Sequence, residues 1–311
     1  MSRPATLPLG IDVGTTRTRV ALLERDERGV PRLVAVASRA TGDDPATAIA
    51  DARAELRSRE RRCVLALGPG DAVVRTAAFP AMGRAERDRA ARFEAMRHVA
   101  YPIAEAAVRV APLDERRCVV AIARRERLAQ RVNAAKRAGL RAVAVDDMAF
   151  ALLRAVPSAD AILDVGERQS VLVVRGGAVP AVRVFRIGGR AFTDAVRVAL
   201  GVDAIAAERR KCGVGLAGAG EAARDDLVER VAAALIEHRA SSGPDVATLA
   251  LCGNGARLGG LAEALERVAA LPVRVATFPP GVSSALPSDV LRAAAPDWAL
   301  AYGLALWESA A

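Results

Sequence analysis

Leu9-Gly10-Ile11-Asp12-Val13-Gly14, running on into Thr15-Thr16-Arg17-Thr18-Arg19-Val20-Ala21-Leu22-Leu23, reads as a buried strand, an aspartate-tipped turn and a second apolar strand. The unit returns as Ala161-Ile162-Leu163-Asp164-Val165-Gly166 followed by Glu167-Arg168-Gln169-Ser170-Val171-Leu172-Val173-Val174. Each copy leads through a glycine-containing break to a third strand, Val30 to Ser38 in the first and Ala178 to Ile187 in the second. A repeat at this spacing predicts two related lobes, each opening on three antiparallel strands.

The turns themselves suit phosphate. Gly14 allows a tight turn and close approach to an oxygen. The backbone N–H groups and hydroxyls of Thr15 and Thr16 are donors, and Gly166 makes the equivalent turn in the second copy. Asp12 and Asp164, at the ends of buried strands, are placed to hold Mg2+ through its waters. A third segment, Leu249-Ala250-Leu251-Cys252-Gly253-Asn254-Gly255, is a buried strand ending in small residues, which lets a flat base lie against the backbone. Taken singly, each of these is also an ordinary tight turn.

Bulk composition agrees with a globular protein. The chain has 311 residues, 52% hydrophobic and 26% charged, too long for one comfortable core, and two domains are expected. The net charge of +9 raises the question of nucleic acid, but of the 45 basic residues only Lys136 and Lys211 are lysines. The arginines are scattered among acids, as in Arg57-Ser58-Arg59-Glu60-Arg61-Arg62, and no nucleic-acid motif accompanies them, so coding bias and solvated helix faces account for the charge. Attraction to an anionic membrane surface stays open. Cys63, Cys118, Cys212 and Cys252 are too far apart for a metal knuckle or a disulfide framework. With no signal-like N-terminus and no long apolar span, a cytoplasmic location is expected.

Periodicity and punctuation predict helices at Pro45–Arg59, Arg84–Val99, Arg125–Ala138, Asp147–Val156, Arg190–Leu200, Ala204–Lys211, Glu221–Arg239, Gly260–Ala270 and Pro296–Trp307. Strands fall at Cys63–Leu67, Ala106–Ala111, Arg117–Ala123, Arg141–Val145, Val246–Cys252 and Val273–Ala276. The Pro-, Gly- and Ser-rich stretch Phe278–Pro287 is expected to connect the lobes.

In order and spacing, residues 9–23, 161–174 and 249–258 resemble the two phosphate motifs and the adenosine motif of the actin, Hsp70 and sugar-kinase superfamily. Nearly the whole chain is similar to the PilM family of type IV pilus assembly, itself related to FtsA and to the cytoplasmic part of GspL. The closer match lies in Phe93-Glu94 through Tyr101-Pro102-Ile103, in Val119 to Arg125 with Ala138-Gly139-Leu140-Arg141, and in Asp146 to Leu153. It continues in Arg186-Ile187-Gly188-Gly189, Ala207-Glu208-Arg209-Arg210-Lys211 and Trp298 to Leu306.

The resemblance implies an α/β actin-like ATPase fold, two RNase H-like lobes with an inserted small α+β subdomain. The first lobe would take residues 1–79 with 144–157 and the closing helix 296–311, the inserted subdomain 80–143, and the second lobe 158–295. It implies ATP with Mg2+ as ligand, with Glu208 and Lys211 facing base and ribose; spaced i, i+3 on one helix face, they are equally a surface ion pair. The implied role is a scaffold at the inner face of the inner membrane that binds the cytoplasmic tail of a PilN-like protein beside the inserted subdomain, with other pilus-machine proteins as further partners. Whether ATP is hydrolysed is left open: Asp147 is the nearby candidate for positioning water and equally the N-cap of its helix.

Two departures stand out: Glu167 and Arg168 where relatives carry small residues, and Asn254 where a glycine is usual. Glu167 either repels phosphate or helps hold the metal. A small-molecule kinase of the same superfamily is the competing function, but no sugar-binding acid motif follows the first turn. An FtsA-like or GspL-like role would call for an amphipathic tail or a membrane span after this module, and neither follows the closing helix.

Overall fold

A computed structural model of the chain describes residues 5–216, 218–241, 243–279, 283–284 and 286–307. The chain opens with β1 (Ala5–Thr6), β2 (Leu9–Val13), β3 (Arg17–Arg25), β4 (Pro31–Ala40), α1 (Pro45–Glu55) and β5 (Arg62–Leu67). A small unit follows: β6 (Ala72–Ala78), α2 (Arg84–Met96), β7 (Ala106–Pro112), β8 (Arg117–Arg124) and α3 (Arg125–Arg137). Then come β9 (Arg141–Asp147) and α4 (Met148–Ala155). The second copy of the repeat gives β10 (Ala161–Val165), β11 (Ser170–Val174) and β12 (Ala181–Phe185). After it run α5 (Gly189–Leu200), α6 (Ala204–Val214), α7 (Glu221–Ala240), β13 (Leu249–Cys252), α8 (Leu261–Ala269), β14 (Val273–Val275), β15 (Ser283–Ser284) and α9 (Ser288–Ala305).

Both large sheets have the same internal order. The first runs β15-β4-β3-β2-β5-β9 and the second β12-β11-β10-β13-β14. In each, three antiparallel strands from the repeat are extended by two parallel ones. This is the duplicated, two-lobed α/β architecture that the sequence repeat implied.

Side-chain alternation decides which way the repeat faces. On β2, Leu9 and Ile11 enter the core under α1 and α3, while Gly10 and Asp12 point to the opposite face. On β10, Leu163 and Val165 enter the core under α5, α7 and α8, and Ile162 turns toward α4 and α9. Asp164, two residues on, shares that side. Helices α4 and α9 lie between the two sheets, with Leu152, Ala155, Ala301 and Tyr302 in one core with Leu23, Ile162 and Val173. Contact between these two helices is close enough that a Cβ on Gly303 would stand 1.9 Å from the carbonyl oxygen of Ala151.

Several boundaries differ from expectation. The small sheet, in order β6-β8-β7, already begins at Ala72, ahead of the expected boundary at 80, because β6 pairs along its length with β8. Its seven residues, Ala-Val-Val-Arg-Thr-Ala-Ala, carry no clean alternation that would announce a strand. Helix α3 packs on the first lobe through Ala135, and β9 completes that lobe's sheet. Helix α9 starts at Ser288, with Pro296 inside it rather than at its start. A short strand from the Phe278–Pro287 stretch, β15, pairs with β4. Residues 308–311 of the expected closing segment, and 1–4 of the first lobe, lie outside the described residues.

Candidate functional site

The two aspartate turns open onto one cleft of about 830 Å³ between the sheets. Its lining brings together Asp12, Gly14, Thr15, Thr16, Asp164, Gly166, Glu208, Lys211, Gly253, Asn254 and Gly255, all the residues expected to hold nucleotide. Asp147 is not among them. Its side chain accepts the N–H of Ala149 at 2.8 Å and caps α4. His98, in the turn after α2, and His238, on α7, lie outside this cleft.

The turns are built alike. Gly14 N–H donates to Arg17 O and Gly166 N–H to Gln169 O, each at 3.0 Å. In the first, buried Thr41 acts as a buttress that the sequence reading did not identify. Its hydroxyl donates to Gly14 O at 2.9 Å, its N–H to Thr16 O at 2.9 Å, and its Oγ1 lies 3.1 Å from that of Thr18. Thr15 and Thr16 are left exposed to the cleft. In the second, the start of α5 docks on the turn, Gly189 N–H donating to Gly166 O at 2.9 Å and Arg190 N–H to Glu167 O at 2.8 Å.

The cleft's charge is arranged by burial. Desolvation pushes the Asp164 carboxyl up from 3.8 to about 7, Asp12 adding to the rise and Arg19 opposing it. Burial also raises Asp12, against the pull of Arg19 and Arg131. Two such carboxylates facing one space favour a cation, and Mg2+, which keeps most of its waters, suits a pair better than a cage. Among the described residues no cluster of three or more His, Cys, Asp or Glu forms such a cage.

On the far side, Lys211 is 10% exposed and donates to Gly189 O at 3.0 Å, to Thr193 Oγ1 at 2.8 Å and to Glu208 at 2.7 Å. The i, i+3 pair is thus anchored to α5 rather than standing free on the surface. Burial would raise Glu208, but hydrogen bonds from Lys211 and Thr193 win and hold its carboxyl below the usual range. The adenosine-type turn follows β13 closely. Gly253 has φ of +78°, and a Cβ there would stand 2.6 Å from Val165 O, so only glycine fits. Asn254 opens a short 3-10 turn, Asn254–Arg257, with negative φ; it needs no left-handed concession.

Two arginines were missed because arginine is everywhere in this chain. Arg19 lies 3.7 Å from Asp12 and donates to Asn254 Oδ1 at 2.5 Å. Arg131, on α3, donates to Val13 O at 3.1 Å.

Comparison with known proteins places this arrangement. The family described as type IV pilus assembly protein PilM matches residues 10–309. A solved PilM-PilN type IV pilus biogenesis complex has a chain 28% identical, with TM-score 0.85, over 96% of this chain and 97% of that one. The ethanolamine utilization protein EutJ from Carboxydothermus hydrogenoformans is 16% identical, with TM-score 0.59, over 98% and 91%. MreB 5 of Spiroplasma citri bound to AMPPNP is 15% identical, with TM-score 0.50, over 100% and 97%. No curated protein matches the sequence. The fold is that of the actin-like ATPases, and the chain belongs to the PilM family of type IV pilus assembly proteins.

Proposed function

We propose that the protein is an ATP-binding scaffold of type IV pilus assembly that engages the N-terminal tail of a PilN-like membrane protein. The observation that carries the nucleotide half is the convergence of both glycine turns and both buried aspartates on one cleft between two lobes. Backbone N–H groups of the turns, with Thr15 and Thr16, supply phosphate donors. Lys211 and Glu208 border the base and ribose end. Asp12 and Asp164 fit Mg2+ through its waters, and the metal when bound would offset phosphate charge. The nucleotide found with the MreB relative supports the same reading of the cleft.

The partner half is supported by the solved complex of the 28% identical relative. Helix α2, in the small unit, carries Phe93 at 68% and Met96 at 45% exposure, apolar material for a short peptide tail. Among the described residues no helix is long and apolar enough to cross a membrane, so placement at the inner membrane would come through the partner. Bound nucleotide would set the lobe angle and thereby the affinity for the tail. Asp147, the candidate for positioning water, caps α4 and lies outside the cleft lining, which supports a reading in which hydrolysis is slow or absent.

Thermal unfolding with and without Mg-ATP tests the nucleotide half. A ligand that binds only the folded state raises the midpoint. Wild type should shift upward and Asp12→Ala should not, whatever its own baseline; equal shifts, or none in wild type, reject the reading.

A further inference from the structure

Arg19 is a buried position at which the two copies of the repeat part company in charge. Strand pairing sets Asp12 opposite Arg19 in the first lobe and Asp164 opposite Val171 in the second. The duplicated position is thus a guanidinium in one lobe and an apolar side chain in the other.

That guanidinium is only 8% exposed and lies on the floor of the cleft, 6.0 Å from the centroid of Trp298. Trp298 is itself fixed to the first lobe by its indole N–H, which donates to Ala37 O at 3.1 Å. Arg19 reaches out of this lobe to Asn254 Oδ1, in the turn that follows β13 of the second lobe. The contact joins residues 235 positions apart. Close by, Gly253 N–H donates to Pro296 O at 2.9 Å, and Arg257 pairs with Asp297 at 2.9 Å, so the same turn is also held to α9. Of these three ties, Arg19–Asn254 is the one whose cation acts on both buried aspartates, Asp12 and Asp164.

We infer that Arg19–Asn254 is a latch between the lobes that a bound polyphosphate opens, an inference that rests on the nucleotide reading of the cleft. Asn254 offers Arg19 a neutral amide oxygen. A phosphate seated between the turns offers charged oxygens, and charge-assisted hydrogen bonds are roughly twice as strong as neutral ones. Nucleotide therefore draws the guanidinium off Asn254 and replaces this neutral tie with its own contacts to the turns of both lobes. The empty protein is held shut at its floor, and each binding event must first undo that bond. A pre-formed interaction that ligand has to break reduces apparent affinity to the fraction of molecules in which it is already open.

The test uses the full chain with spin labels on Asp51→Cys and Val198→Cys, exposed positions on α1 and α5, in a Cys212→Ser background. Interlobe distances are read by pulsed electron paramagnetic resonance, and Mg-ATP affinity by calorimetry. Asn254→Gly and Asn254→Ala remove the latch while leaving Arg19 and Asp12 in place. Both are expected to broaden the distance distribution of the nucleotide-free protein, and Mg-ATP, by bridging the two turns, to narrow it again. Both are also expected to bind Mg-ATP about two- to tenfold more tightly, the worth of one ordinary hydrogen bond. Wild type that binds Mg-ATP, with variants matching it in distance and affinity, overturns the latch and leaves the nucleotide reading standing. Wild type that shows no Mg-ATP binding overturns the nucleotide reading and the release together.

Discussion

Arg131 donates a hydrogen bond of 3.1 Å to the carbonyl oxygen of Val13, so the helix that leaves the small sheet holds the first phosphate-type turn by its backbone. The same helix begins beside that sheet, where Arg125 donates to Ala104 O at 3.2 Å, and it packs on the first lobe through Ala135. These contacts form a continuous route from the turn to the unit that presents Phe93 and Met96, and Arg131→Ala tests whether movement follows it.

Arg131→Ala should accordingly weaken Mg-ATP binding by about fivefold, the value of about 1 kcal/mol for a single hydrogen bond. It should also loosen the dependence of tail affinity on nucleotide. Calorimetry with ATP, and with a PilN-like tail peptide in the presence and absence of ATP, measures both. An unchanged difference between the two tail affinities rejects the coupling.

Lys211→Ala should be costly. The ammonium group has three acceptors and little solvent, and removing it leaves Gly189 O and the Glu208 carboxylate to share the single Thr193 hydroxyl. Loss of about 1–3 kcal/mol of stability is expected in urea unfolding, with Mg-ATP affinity falling as well. Lys211→Arg should not restore it, since the planar fork cannot meet three acceptors grouped around one nitrogen.

Gly303→Ala tests the contact between α4 and α9. Its new Cβ would overlap the Ala151 carbonyl, and backbone cannot swing aside as a side chain can. Overpacking of this kind costs about 1–3 kcal/mol or more. A lowered thermal midpoint is expected, and a value equal to wild type rejects the packing described.

Asp147 gives a pH-dependent prediction. Burial, reinforced by Asp146, pushes its carboxyl from 3.8 up to about 6, although N–H groups of Ala149 and Phe150 oppose the rise. The folded protein therefore holds this proton more tightly than the unfolded chain, and ionisation as pH climbs through about 6 lowers stability. Asp147→Asn keeps a capping oxygen and escapes that loss. Its advantage over wild type should widen by about 1 kcal/mol between pH 5 and pH 8, as denaturant unfolding at each pH would show. A constant difference rejects the raised carboxyl.

Much of this was legible before any coordinates. The paired Asp-Val-Gly turns are local signals, and strand alternation alone sends Asp12 and Asp164 to the inner faces of their sheets. The N-cap role of Asp147 was readable for the same reason. What escaped depends on distant partners or contrary punctuation. Arg19 meets Asn254 across 235 residues and Arg131 meets Val13 across 118, and nothing local marks either arginine among so many. Pro296 is a natural first residue of a helix, so the sequence pattern starts the closing helix there and assigns nothing to the two turns of α9 before it. Thr41 sits just past β4, where a threonine ordinarily signals no more than a strand end.

The first sheet recruits β15 and its covering helix α9 from the far end of the sequence, whereas β10 to β14 and the helices between them are contiguous. As the polypeptide emerges from the ribosome, the lobe encoded second is the first able to finish. The lobe encoded first must wait, its inner face uncovered, until α9 has been made. Truncation that removes α9 would thus strip the earlier-encoded half of its inner cover while leaving the later-encoded half its outer core of α5, α7 and α8.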